Sequence, residues 1–165
     1  MKIYLLTLVT ILAILGPLTA FGQSGWTSPC SAGATIDETS TGLYQVNNSA
    51  LFFRAGATGV VTARYDVVNT AVPSVPVTPW ATFELGYLDP TGGNVTATLF
   101  QVDPCTGKTI PICAVASLAN TRPACVVCTF PANTVNFLTK LYFVQVNVNR
   151  ATTNINPQAL TLRIF

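Results

Sequence analysis

Histidine is absent from this chain. Without it there is no Ser-His-Asp or Cys-His nucleophile, no imidazole ligand for copper or zinc, and no side chain that ordinarily titrates near neutrality. Charge is nearly absent as well: charged residues make up 8% of the 165, with eight Lys and Arg against six Asp and Glu. So small and balanced a set offers no basic patch for nucleic acid or an anionic membrane. Helical patterning is missing beyond residue 22, where no stretch places Leu, Lys and Glu at 3.6-residue spacing. No internal repeat of about 20 to 50 residues is visible either. What is plentiful from Ser24 onward is Thr, Ser, Asn and Gln. A neutral surface of hydroxyls and amides resists association weakly, which favours adhesion, carbohydrate contact or self-assembly over solution enzymology.

The first residues set an expected compartment. Met1 and Lys2 give a short positive start, Ile3 to Ala20 is almost wholly apolar, and Pro17 precedes small residues at Ala20 and Gly22. That layout predicts a secretory signal peptide over 1–22, cleaved near Gly22. The competing reading, an uncleaved anchor, has the length but not the Pro and small-residue site. The mature chain would be a single domain, 23–165, with a formal net charge of +1 once Lys2 is removed. Its expected location is secreted, extracellular or periplasmic, with no stable membrane span.

That domain reads as strands. Val61, Ala63, Tyr65 and Val67 alternate with Thr62, Arg64 and Asp66. Phe83, Leu85 and Tyr87 alternate with Thr82, Glu84 and Gly86. Tyr142, Val144, Val146 and Val148 alternate with Gln145, Asn147 and Asn149, and Leu160, Leu162 and Ile164 oppose Thr161 and Arg163. A period of two with one apolar face is the signature of a half-buried strand. Turn signals such as "GATG", "DPTGGN", "DPCTG" and "NINP" separate the runs. Eight to nine short antiparallel strands predict an all-β fold, a single β-sandwich of jelly-roll or immunoglobulin-like type. A transmembrane barrel is the alternative suggested by the terminal Phe165. Its face also carries Arg163 and Thr161, which is the wrong chemistry to meet lipid.

Four of the five cysteines fall in "CTGKTIPICAVASLANTRPACVVC", which also holds a GKT triplet and a CxxC. A phosphate-binding loop needs Gly five residues before Gly107, where this chain has Val102, so Thr106, Gly107 and Lys108 read as a hairpin turn. A thioredoxin-like site needs a helix after Cys125, and "TFPANT" follows Cys128 instead. Zinc wants close ligand pairs, whereas seven residues separate Cys105 from Cys113 and no His assists. Disulfides remain, as expected of an exported chain. The favoured pairing is Cys105 with Cys113 and Cys125 with Cys128. Cys30 can also reach Cys105 or Cys113, and the odd cysteine can join two chains.

Only carboxylates remain as acid and base, and a glycosidase needs two about 5 to 10 Å apart. Asp89 and Asp103 precede Pro-containing turns, and Asp66 and Glu84 lie on polar strand faces where Arg64 or another cation can pair with them. Asp37 and Glu38 are adjacent and would diverge on a strand. No catalytic residue is assigned. A small hydrolase acting through carboxylates, Glu38 included, is the third-ranked reading. No cofactor is expected; calcium is the ion left open, with Asp89, Asn94 and Asp103 as oxygen donors.

The leading reading is a noncatalytic binding or adhesion module of the cell exterior, contacting a glycan or another cell-surface component. Trp80, Trp26 and Tyr44 are the candidate stacking residues, with Tyr87 assigned to the core by its phase with Phe83 and Leu85. The alternative is a self-assembling subunit of a surface layer or fibre, built through edge strands and the apolar Leu141 and Phe143. Sequons at Asn47 and Asn94 matter only in a eukaryotic host.

Overall fold

The computed structural model describes residues 25–35, 38–69, 79–90 and 93–165. The signal-peptide segment 1–22, Asp37 and most of the Pro-rich connection before Trp80 lie outside the described residues. The strands are β1 (Trp26–Pro29), β2 (Ala34–Thr35), β3 (Tyr44–Asn47), β4 (Ala50–Phe53), β5 (Gly59–Val67), β6 (Thr82–Asp89), β7 (Gly93–Val102), β8 (Thr109–Ala116), β9 (Asn120–Thr129), β10 (Leu141–Arg150) and β11 (Gln158–Ile164). They pair antiparallel in two sheets. One runs β3-β4-β11-β6-β9 with β1 also on β11, and the other runs β2-β5-β10-β7-β8. The chain is therefore an all-β sandwich, with more strands than the turn spacing alone predicts because β1 to β4 are too short to show a period.

Alternation explains the packing. Val61, Ala63, Tyr65 and Val67 of β5, Val95, Ala97 and Leu99 of β7, and Val144, Val146 and Val148 of β10 point inward from the five-stranded sheet. They meet Leu51 and Phe53 of β4, Phe83, Leu85 and Tyr87 of β6, and Leu162 and Ile164 of β11. Burying each Val, Leu, Ile or Phe among them contributes roughly 1.5–3 kcal/mol relative to exposure.

β11 departs from simple alternation. The register on β6 slips between Ala159 and Thr161. The extra residue of this bulge flips the phase, so that Ala159 is buried and Leu160 is left half-exposed, outside the inward series to which period two assigns it. The bend also lets β11 serve two partners on one side. Its first residues pair with β4 and its last four with β1.

Two polar devices close the ends of the sandwich. Tyr65 donates from its hydroxyl to the carbonyl of Cys30 at 2.7 Å, and Gly33 lies so close that a Cβ there would overlap the Tyr65 ring. Arg150, buried at the end of β10, donates to the carbonyls of Arg54, Thr152 and Thr153. One guanidinium thereby ties together two loops whose carbonyls have no strand partner. Among the described residues no helix is long and apolar enough to cross a membrane.

Candidate functional site

The tryptophans do not provide a sugar platform. Trp26 and Trp80 are each 5% exposed and belong to the core, Trp26 on β1 opposite Ile164 and Trp80 edge-on to Phe137 with ring centroids 5.4 Å apart. A pyranose stacks on an open ring face, and neither ring has one. Large apolar area outweighed the exposure that a Pro-rich neighbourhood suggests. Tyr44 is half-buried on the edge strand β3 and packs against the core. Tyr87 is buried, and its hydroxyl accepts from the amide of Leu118 at 3.2 Å.

The cysteine pairing also differs from expectation. Cys113 bonds to Cys128, with Cα atoms 6.2 Å apart, while Cys105 and Cys125 are exposed thiols and Cys30 is a buried one. Parity is the reason: three residues apart on one strand, Cys125 and Cys128 point to opposite faces of β9. Cys128 faces inward and meets Cys113 of β8, across the two sheets. Cys105 sits instead in the turn after β7, where Asp103 accepts from the amides of Cys105 and Thr106 and from the Thr106 hydroxyl. Gly107 completes this turn at φ 68°, a conformation that a Cβ disfavours. Burial pushes the Cys30 thiol up to about 12, against the opposing effect of the Tyr65 hydrogen bond. Burial and then the Glu84 charge also raise Cys125.

The carboxylates are dispersed. Glu84 pairs with Arg163 at 3.2 Å on the outer face of the β6 sheet, and Asp103 with Lys140 at 2.6 Å. Asp66 lies on the opposite outer face and makes no ion pair with Arg64, contrary to expectation. Glu38 is exposed in a short 3₁₀ turn. Asp89 is 3% exposed and accepts from the Ser117 hydroxyl at 2.5 Å, beside the start of β7. Asp103 follows the far end of that ten-residue strand, roughly 30 Å away. The expected calcium donors Asp89, Asn94 and Asp103 are therefore not brought together. Among the described residues no three His, Cys, Asp or Glu side chains cluster.

A different surface is assembled: the outer face of β5, β10, β7 and β8. The strand registers arrange it in rows. Asp66, Phe143, Phe100 and Pro111 form one, and Arg64, Gln145, Thr98 and Ala114 the next. Thr62, Asn147, Thr96 and Ala116 make a third, followed by Val60, Asn149 and Asn94. The Thr62, Asn147 and Thr96 row is linked by cross-strand hydrogen bonds. Thr62 donates to Asn147 Oδ1 at 2.9 Å, and Asn147 Nδ2 reaches Thr96 Oγ1 at 3.5 Å. Phe100 and Phe143 stack at 5.0 Å between centroids. Arg64 covers the other side of Phe143, its guanidinium carbon 4.8 Å from the centroid. Both phenyl rings are half-buried, so they stand as a ridge across two strands and present edges rather than a flat platform.

This face escaped the sequence reading in part. Phe143, Gln145, Asn147 and Asn149 are legible as the series opposite Val144 and Val146. Phe100 also had a signal, the alternation of Thr96, Thr98 and Phe100 with Val95, Ala97 and Leu99. That β5, β10 and β7 are neighbours in that order had none.

No family model and no curated protein matches the chain in sequence. Solved structures do match in shape. The CBM36-1 domain of a multidomain xylanase from the hindgut metagenome of Trinervitermes trinervoides superposes with a TM-score of 0.50 at 11% identity, over 86% of this chain and 96% of that one. A carbohydrate-binding-module structure of the β-sandwich superfamily follows at 0.49 and 10% identity, over 86% of this chain and 57% of that one. TmCBM61 in complex with beta-1,4-galactotriose gives 0.43 at 10% identity, over 89% and 91%. At such identities the likeness is one of fold. The chain has the β-sandwich architecture that the xylanase domain also has.

Proposed function

We propose that this protein is a noncatalytic glycan-binding module of the cell exterior, binding through the outer face of the five-stranded sheet. The observation that carries the reading is the cross-strand lattice of amides and hydroxyls, Gln145, Asn147, Asn149, Thr62, Thr96 and Thr98, beside the Phe100 and Phe143 ridge. A sugar presents hydroxyls that both donate and accept, next to apolar C–H surface. Amides and hydroxyls beside phenyl edges complement both, and the hydrogen bonds that link Thr62, Asn147 and Thr96 reduce the ordering cost of binding there. The fold shared with the CBM36-1 domain of a xylanase is consistent with this use. The Cys113–Cys128 bond accords with an oxidising, extracellular setting. Dispersal of the described carboxylates supports binding over hydrolysis.

Affinity electrophoresis through gels containing soluble polysaccharides tests the reading. Retardation by at least one polymer is expected, reduced about tenfold or more in Asn147→Ala and Phe100→Ala at unchanged stability. No retardation across a broad panel overturns it.

A second reading is supported by the apolar end of the same face, where Leu141 is 59% exposed beside Val68 at 56%. There a second copy would dock, as in a surface assembly. Edge-strand pairing is the less suitable route, because the edge strands β8 and β9 carry Pro111 and Pro123. Sedimentation over a concentration series, with Leu141→Asn as the control, separates assembly from monomeric binding.

A further inference from the structure

Arg64 stands in the second row of the outer face, between the aromatic ridge and the amide lattice, and among the described residues it is the one cation on that face. Its position is constrained from two directions. The guanidinium lies over Phe143, and Nη2 donates to Gln145 Oε1 at 3.4 Å. Among the described residues it has no carboxylate partner. The ion pairs of the described residues are Lys140 with Asp103 and Arg163 with Glu84, and Asp66, two residues along the same strand, stays out of reach. An exposed guanidinium restrained by a ring and an amide, with most of its five donors unused, is preorganised for a planar anion.

We propose that Arg64 is the specificity-determining residue of this face and takes the carboxylate of a uronic acid in the bound glycan. The inference rests on the glycan-binding reading of the same surface. A carboxylate answers Arg64 with two parallel charge-assisted hydrogen bonds, which a neutral sugar hydroxyl cannot make. The rest of the sugar then lies over Gln145, Thr98 and the Thr62, Asn147 and Thr96 row, whose groups satisfy ring hydroxyls without further charge. Among the described residues Asp66 is the only other charged group on the face. It opposes the ligand, and so selects for a carboxylate placed on the Gln145 side of Arg64.

The test uses the full chain and polymer pairs that differ only in the carboxylate: polygalacturonate, polymannuronate and polyglucuronate, each beside its carboxyl-reduced form. At least one acidic polymer is expected to bind about tenfold or more tighter than its reduced partner, more weakly as NaCl rises. Arg64→Gln removes the preference, Arg64→Lys retains part of it, and Asp66→Asn strengthens it. Urea midpoints of the variants verify folding. Equal binding of acidic and reduced forms, unchanged in Arg64→Gln, overturns the proposal and leaves the glycan-binding reading standing. Absence of binding to these polymers overturns the proposal, and absence of binding to the broad polysaccharide panel as well overturns both.

Discussion

Single residues in this protein take their roles from the side of the strand they occupy. Trp80 is aromatic and flanked by Pro-rich sequence, yet it is packed edge-on to Phe137 and contributes volume rather than recognition. Trp80→Ala is expected to cost about 3–5 kcal/mol, read as a lower urea midpoint, with no loss of binding per folded molecule. The cysteines divide in the same manner. Cys105 and Cys125 are exposed, whereas Cys30 is enclosed and its thiol is held up to about 12. Alkylation of the native protein near pH 8 should therefore modify Cys105 and Cys125 and spare Cys30, which reacts only after unfolding; peptide mass spectrometry reads this directly. A label on Cys30 in the native state would mean that the packing around Tyr65 opens readily. Gly33→Ala should open it, since the added methyl overlaps that ring.

Among the elements, the edge strands and hairpins decide the behaviour. The Cys113–Cys128 bond joins β8 to β9, the open edges of two different sheets, across a sequence separation of 15. Closing a loop of that length contributes about 3 kcal/mol through the unfolded state. Replacing both cysteines by Ala should lower the urea midpoint accordingly, and dithiothreitol should do the same to the parent chain only. Non-reduced intact mass should rise by two hydrogens on reduction, the mark of one internal bridge. The hairpin between β7 and β8 carries a pH dependence. The hydrogen bond from Lys140, then those from Thr106 and Cys105, hold the Asp103 carboxyl well below the usual carboxylate range. A depressed folded pKa contributes stability that is present above the unfolded value, near 4, and is lost as pH falls through the folded one. Stability from this source should thus decline in acid. Asp103→Asn should flatten the decline, as seen in urea midpoints measured from pH 7 to pH 2. Salt should weaken the effect, because the pair is solvent-accessible.

For the whole molecule, scarcity of charge is the governing property. The core is apolar and continuous between the sheets, and one outer face is a nearly neutral lattice whose guanidinium, that of Arg64, has no carboxylate partner among the described residues. Binding of an acidic polymer should fall with ionic strength, through Arg64, whereas thermal stability should barely change with salt, because only two ion pairs are found among the described residues. Parallel scans in low and high NaCl compare the two. A large salt effect on melting would point to electrostatics that this arrangement does not contain. The same neutrality leaves Leu141 and Val68 exposed without flanking repulsion, so self-association should be most evident near neutral pH and be relieved by Leu141→Asn.

Much of this was already present in the chain itself. Strand alternation is a property of the backbone, so the inward series of β5, β6 and β10, the hairpin turn at Thr106 to Lys108 and the all-β class follow from local order alone. The same parity, applied to Cys125 and Cys128, already forbids their pairing. What local order cannot specify is which strands lie side by side. β5 and β10 are brought together by contacts between residues some eighty positions apart, such as Thr62 with Asn147, and β10 and β7 by pairs closer in sequence but still long-range, such as Phe143 with Phe100. Only that pairing sets Arg64 over Phe143 and stacks Phe143 on Phe100, and only the approach of β8 to β9 joins Cys113 to Cys128. Leu160 marks the boundary between the two. Its outward turn depends on a bulge that a bare period of two does not contain, and that exists because β11 must bend to pair with both β1 and β4.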